Sequence, residues 1–170
     1  MDAPYAFESR WDVPAAPAQC WPLLERALQP GPSWWPGVTV PDPPDRIEPG
    51  ALLTFRVRSR LGYVLRMRLR ITEVRSGVRI AAASTGDLEG RGSIDVAPGE
   101  AGRTLITIRW QVVTRRRWMN ATARVLRPVF VAAHGRVMRD GERALCATIA
   151  SEVRNAGNRG ESADRGAVPD

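Results

Sequence analysis

From Leu53 to Val74 apolar side chains occupy every second position: Leu53, Phe55 and Val57, then Tyr63, Leu65, Met67, Leu69 and Ile71. The positions between them read Arg56, Arg58 and Arg60, then Arg66, Arg68 and Arg70. Side chains of a strand alternate between its two faces. The spacing therefore predicts two half-buried strands, over 52–60 and 63–75, with an apolar face inward and an arginine face outward. Keeping Val57 and Leu65 on one face demands a loop of odd length. Arg60, Leu61 and Gly62 supply it, with Gly62 at positive φ. That register sets Arg56 opposite Arg66, a like-charge pairing that costs a few tenths to about 1 kcal/mol. Such a face meets water or something anionic.

The same period marks a first strand over 5–13, with Tyr5, Phe7, Ser9, Trp11 and Val13 on one face, ended by Pro14. Pro17 suits the first turn of a helix, and Cys20, Trp21, Leu24 and Leu28 then recur at helical spacing up to Pro30-Gly31. Residues 30–50 hold half of the chain's 14 prolines and the pair Trp34-Trp35, which excludes a long helix or a central strand. A short helix near Ser33, followed by extended chain through Val38 and Val40, makes this a stiff aromatic flap. Further strands are expected over 78–84, 92–96 and 104–114, with a turn at 99–102 and bends at Gly86, Gly90 and Gly92.

From Arg117 the period becomes that of a helix. Ala121, Val125, Val129 and Ala132 follow one stripe, with Phe130, His134, Val137, Met138, Gly141 and Leu145 beside it. A helix over 117–153 is a rod of roughly 50 Å, kinked or split at Pro128. It is too long for so small a chain to leave uncovered. A curved antiparallel sheet with such a helix across it encloses a space. The fold class is thus α+β, with one domain over 1–153. The remainder, 154–170, is rich in Gly, Asn and Ser and has no large apolar residue besides Val168, so it is expected to be a disordered tail.

A hydrophobic fraction of 44% over 170 residues can build one core. No apolar run approaches the roughly 20 residues of a membrane span. The N-terminus lacks a basic start followed by an apolar stretch, so a cytoplasmic location is expected. His134 is the one histidine, and Cys20 and Cys146 have no paired spacing. A His-rich metal set is excluded on that ground and no metal is expected, the thiols read as small buried hydrophobes, and no cofactor is expected. The net charge is +7, and every one of the 25 basic residues is arginine. GC-rich bacterial codon usage, as in many actinobacteria, accounts for this; an anion-binding surface is the alternative. The stretch 86–92, Gly-Asp-Leu-Glu-Gly-Arg-Gly, does not lie between a strand and a helix as a dinucleotide site requires. The arginine stripe has no aromatic residues interleaved on its own face, which argues against nucleic acid.

Four segments carry a resemblance. They are Val13-Pro14-Ala15 with Trp21 and Leu24; Trp34-Trp35-Pro36-Gly37-Val38; the Gly-rich 86–92; and Arg127-Pro128-Val129-Phe130 followed by His134, Val137-Met138 and Gly141. In this order, over 5–149, they resemble the START-like (SRPBCC) superfamily and, within it, the bacterial polyketide cyclase/dehydrase-type family. The resemblance implies a helix-grip fold: about seven antiparallel strands around the long C-terminal helix, with a cavity between. It also implies a small hydrophobic ligand, such as a lipid, sterol, quinone or aromatic polyketide; a minority of members are enzymes. One departure is Ala133, where bacterial helices of this type often carry Asn before the histidine.

The inward set Phe55, Val57, Leu65, Met67, Leu69, Ile71, Ile106, Ile108 and Val129 supplies walls for such a cavity, with Met138 on the helix. Trp34, Trp35 and Trp110 offer flat apolar surfaces, the first two as a gate. A carrier of this kind needs a cavity above roughly 300 Å³. His134 is the candidate acid/base group, unless it simply bonds a neighbour. Asp87 and Glu89 offer carboxylates at the rim or are merely solvated. Three functions follow. The first is a carrier or sequestering protein for a hydrophobic or aromatic molecule. The second is a cyclase or dehydratase using His134 without metal or nucleotide. The third is a lipid-transfer module touching anionic membranes transiently through Arg56, Arg58, Arg66, Arg68 and Arg70.

Overall fold

The computed structural model describes residues 4–29, 31, 33–59, 62–114 and 117–164, with side chains of the last helix described over 128–156. The elements are β1 (Pro4–Val13), α1 (Pro17–Arg26), β2 (Val38–Asp42), β3 (Leu52–Arg58), β4 (Val64–Arg75), β5 (Arg79–Gly86), β6 (Leu88–Pro98), β7 (Thr104–Thr114) and α2 (Arg117–Asp164). The strands form one curled antiparallel sheet in the order β1-β7-β6-β5-β4-β3-β2. From β2 to β7 each strand lies beside the next, and β1 joins the far edge. The chain must therefore cross from one edge of the sheet to the other between β1 and β2. It does so with α1 and the tryptophan flap.

The alternating pattern sets the register as expected. Arg56 lies opposite Arg66 and Val57 opposite Leu65. Leu53, Met67, Leu69 and Ile71 are buried, while Arg56, Arg58, Arg66, Arg68 and Arg70 are exposed. Gly62 takes φ 89°, and its N–H donates to the Ser59 carbonyl at 3.1 Å. Arg60 and Leu61, the rest of that expected loop, lie outside the described residues.

Three local expectations change. No helix forms at Ser33: the Val38 N–H donates to the Trp35 carbonyl at 3.1 Å, closing a turn. Gly37 makes that turn possible, with φ 78° and its missing Cβ only 2.8 Å from the Arg58 carbonyl oxygen. The Gly-rich stretch is not a link before a strand; it holds the β5–β6 turn and the first half of β6. Finally, α2 is one helix across Pro128 and is not split there, and it continues to Asp164. Proline's φ is compatible with a helix, but it removes one N–H bond and its ring crowds the carbonyl four residues earlier, together costing about 3 kcal/mol. Beyond Val153, where a disordered tail was expected to begin, no proline occurs before Asp164. Residues 165–170 of that tail lie outside the described residues.

The core sits between the concave face of the sheet and both helices. Trp11, Leu23, Leu24, Leu53, Ile71, Ile106 and Leu145 are fully buried. On α2 the inward face is Phe130, Gly141, Leu145 and Ile149; Ala121 and Val125 of the expected stripe lie outside the described side chains. The helix also covers the free edge of β1, where the Asp12 N–H donates to Glu142 Oε1 at 3.0 Å. Arg26 of α1 pairs with Glu152 of α2 at 2.9 Å.

Gly141 determines how closely α2 approaches. A Cβ there would stand 2.5 Å from Trp35 Nε1 and 3.1 Å from Trp11 Cη2. Ala in place of Gly gains about 1 kcal/mol of helix propensity, but overpacking costs about 1–3 kcal/mol. Gly141→Ala is therefore expected to lower stability by about 1 kcal/mol net in urea unfolding. At Gly135 a Cβ would meet only the mobile tip of Arg139 at 3.3 Å, so Gly135→Ala in the same assay is expected to be neutral or stabilising.

Candidate ligand-binding cavity

Between the concave face and α2 lies a cavity of about 170 Å³. The β3–β4 hairpin gives it Phe55, Val57, Leu65, Met67, Leu69 and Ile71, all expected from the alternation. From β7 come Ile108 and Trp110. Trp110 lies across Gly92 of the neighbouring strand, and a Cβ on that glycine would fall 1.7 Å from its ring. The missing side chain is what gives the indole its space. Trp35 forms part of the opposite wall, with His134 and Met138 from α2.

Three expected wall residues are elsewhere. Trp34 lies behind Trp35, its ring stacked at 5.6 Å, and its indole N–H donates to the Leu23 carbonyl at 2.7 Å. Trp35 is itself buried and donates its indole N–H to the Val137 carbonyl at 3.1 Å. The pair is thus built into the core where a gate was expected. Ile106 is fully buried, opposite Trp11 and Val96, away from the cavity. Val129 is 40% exposed while Phe130 is 6% exposed. Adjacent helical residues differ by about 100°, so the inward stripe is displaced by one residue from the expected one.

Several wall residues were not singled out from the sequence. Tyr5 and Phe7 of β1 line the cavity, as do Tyr63, Phe130 and Val137. Tyr5 and Phe7 share the inward face of the first strand with Trp11, so the alternation already carried the signal. Tyr63 and Phe130 meet edge to face at 6.1 Å, joining the hairpin to α2. Asp87 and Glu89 do not line the cavity. The Asp87 carboxylate instead accepts the Arg66 backbone N–H at 2.8 Å.

The cavity is smaller than the roughly 300 Å³ expected of a carrier. Its scale is that of an engineered 150 Å³ apolar cavity that takes benzene. The space is partly open to the surface and, at this volume, suits one ring or a short apolar segment.

The comparisons with solved structures agree on the architecture. The Zhui aromatase/cyclase from Streptomyces sp. R1128 superposes with a TM-score of 0.69 at 18% identity, over 91% of this chain and 99% of that one. A START superfamily protein from Mycobacterium smegmatis gives 0.63 at 13% identity, over 86% and 97%. The di-domain ARO/CYC BexL from the BE-7585A biosynthetic pathway gives 0.60 at 18%, over 85% of this chain and 49% of that one. This is the START-like helix-grip fold. No family model matches the sequence, and no curated protein matches it.

Within this START-like cavity His134 is the chemically distinctive group. Its ring stacks on Phe7 with centroids 4.0 Å apart and planes 19° apart. Burial among apolar walls pulls its pKa from 6.5 down to about 4. Among the described residues it has no hydrogen-bond partner and no carboxylate beside it. Tyr5, Tyr63 and Arg109 are the other titratable residues bordering the cavity. Arg109 is held by Glu8 at 3.0 Å and Asp95 at 3.0 Å. The two cysteines are free thiols, Cys20 buried and Cys146 half-buried, both pushed up by burial. Among the described residues no group of His, Cys, Asp and Glu could hold a metal ion.

The folded pKa of His134 lies below its unfolded value, so folding favours the neutral ring. That contribution is complete above pH 6.5 and is lost as pH falls towards 4. Stability is expected to drop by up to about 3 kcal/mol across that window. Urea unfolding of wild type and His134→Phe at several pH values checks it: the variant is expected to lack this drop.

Proposed function

We propose that the protein binds a compact hydrophobic or aromatic molecule between sheet and α2, in the cytoplasm; the carrier of a larger ligand that a cavity above roughly 300 Å³ would have indicated is set aside. The observation that carries this is the cavity itself: largely apolar and aromatic walls, with the His134 imidazole among them and the hydroxyl-bearing Tyr5, Tyr63, Ser59 and Ser93 on its border. A pocket of that chemistry gains from burying apolar surface, at about 25 cal/mol per Å². Two of the similar structures are named as aromatase/cyclases, which supports a second reading, a cyclase or dehydratase acting on a polyketide-like chain. Against it, the low pKa of His134 places it far from the neutral range that suits general acid–base work. Among the described residues no carboxylate stands ready to orient the ring, and the volume is small for a folded multi-ring chain. Binding is the better-supported reading. Native mass spectrometry of the purified protein, with a thermal-shift screen of aromatics, sterols and fatty acids, tests it. One- and two-ring compounds are expected to raise the melting temperature and sterols are not. No shift with any compound would sink the proposal.

The arginine face supports transient contact with an anionic membrane, as a lipid-transfer protein needs. The outer surface of the sheet is divided. On one side Arg10–Glu8–Arg109–Asp95–Arg79–Glu73–Arg75 forms a continuous chain of alternating charges across β1, β7, β6, β5 and β4. On the other, Arg56, Arg58, Arg66, Arg68 and Arg70 have no ion-pair partner among the described residues. Codon usage enriches arginine everywhere; it does not sort paired from unpaired positions. Each such arginine near anionic lipid contributes about 1 kcal/mol, screened by salt. Co-sedimentation with phosphatidylglycerol vesicles is expected at low salt. It should weaken at high salt and in the triple variant Arg66→Gln, Arg68→Gln, Arg70→Gln.

A further inference from the structure

The binding proposal leaves open what polarity of ligand the cavity accepts, and the wall residues narrow it. Arg109 is the one charged side chain bordering the space, and its guanidinium already serves Glu8 and Asp95. A carboxylate entering here meets no free cation, and burying an unpaired charge is strongly unfavourable. His134 is different. Phe7 occupies one face of its ring, which leaves its edge nitrogens, and among the described residues neither has a hydrogen-bond partner. A neutral imidazole offers one donor and one acceptor. A hydroxyl or carbonyl of a bound molecule can engage them, and a hydrogen bond formed among apolar walls is electrostatically stronger than one in water. Phe7, Trp35, Trp110 and Phe130 supply flat surfaces around the same space, which suit a planar guest.

We infer that the cavity selects an uncharged aromatic molecule of one or two rings bearing a hydroxyl or carbonyl, which hydrogen-bonds the His134 imidazole, and that it rejects carboxylates. This rests on the binding proposal and specifies its ligand class. The volume of about 170 Å³ limits the guest's size.

The test uses three probes of nearly one shape: naphthalene, 1-naphthol and 1-naphthoate, titrated into the full-length protein at pH 7.5 and followed by tryptophan fluorescence and calorimetry. In wild type 1-naphthol is expected to bind about tenfold more tightly than naphthalene, and 1-naphthoate more weakly than either. His134→Phe should bring 1-naphthol and naphthalene to equal affinity, and His134→Gln, which restores a donor and an acceptor, should recover part of the preference. The wild-type comparison stands even if a variant does not fold. Naphthoate binding as tightly as naphthol, or an undiminished naphthol preference in a folded His134→Phe protein, overturns the inference while leaving a binding cavity intact. Failure of all three probes, naphthalene included, overturns the binding proposal and this inference with it.

Discussion

The close seat of α2 on the flap and the first strand depends on the absence of a side chain at position 141. Two indoles fill the notch: Trp35 from the flap and Trp11 from β1, in edge contact at 5.0 Å. Trp35 also donates to the Val137 carbonyl one turn earlier. One glycine thus joins helix, flap and first strand. This contact sets the height of α2 over the sheet, and that height sets how much space remains beneath Phe130, His134 and Met138. Interiors pack close to the density of organic crystals, so a shift of one methyl group here is felt at the cavity wall. The flap is immobilised by the same contact, and Trp34, bonded to α1, backs it from behind.

The outer face of the sheet follows a different logic. Exposed ion pairs contribute little singly, about 0–1 kcal/mol each, but networks hold strands in one relation. Glu8 bonds both Arg10 and Arg109, and the Arg10 bond, then the Arg109 bond, keep its carboxyl below the usual range. Arg79, bonded first to Asp95 and then to Glu73, is raised in turn. Along β3 and the first part of β4, Arg56, Arg58, Arg66, Arg68 and Arg70 have no such pairing among the described residues, and Arg56 faces Arg66 across the hairpin. That half of the face costs the fold a little and leaves five guanidinium groups available. Sheet and cavity therefore present opposite chemistries: a cationic outer surface and a largely apolar interior in which the His134 ring is neutral at physiological pH.

Period-two alternation is local, and it was enough to determine the antiparallel hairpin, its Arg56–Arg66 register and the inward identity of Phe55, Val57, Leu65, Met67, Leu69 and Ile71. Each of these needs only the neighbours two positions away and a turn of known parity. The long helix and the α+β class were legible for the same reason. What a periodic pattern cannot convey is the rotation and depth of one element on another. Val129 and Phe130 are both apolar neighbours on α2, and only the seat of the helix on Trp11 and Trp35 decided that Phe130 points in. Trp34 and Trp35 are identical in sequence terms, and the carbonyls of Leu23 and Val137 assigned them different places. The sorting of arginines depended on acids far along the chain, as with Glu8 and Arg109, 101 residues apart. The sequence alone thus determined which faces are apolar; the tertiary structure decided the cavity's volume and the isolation of His134, because both are set by distances between elements that share no local sequence.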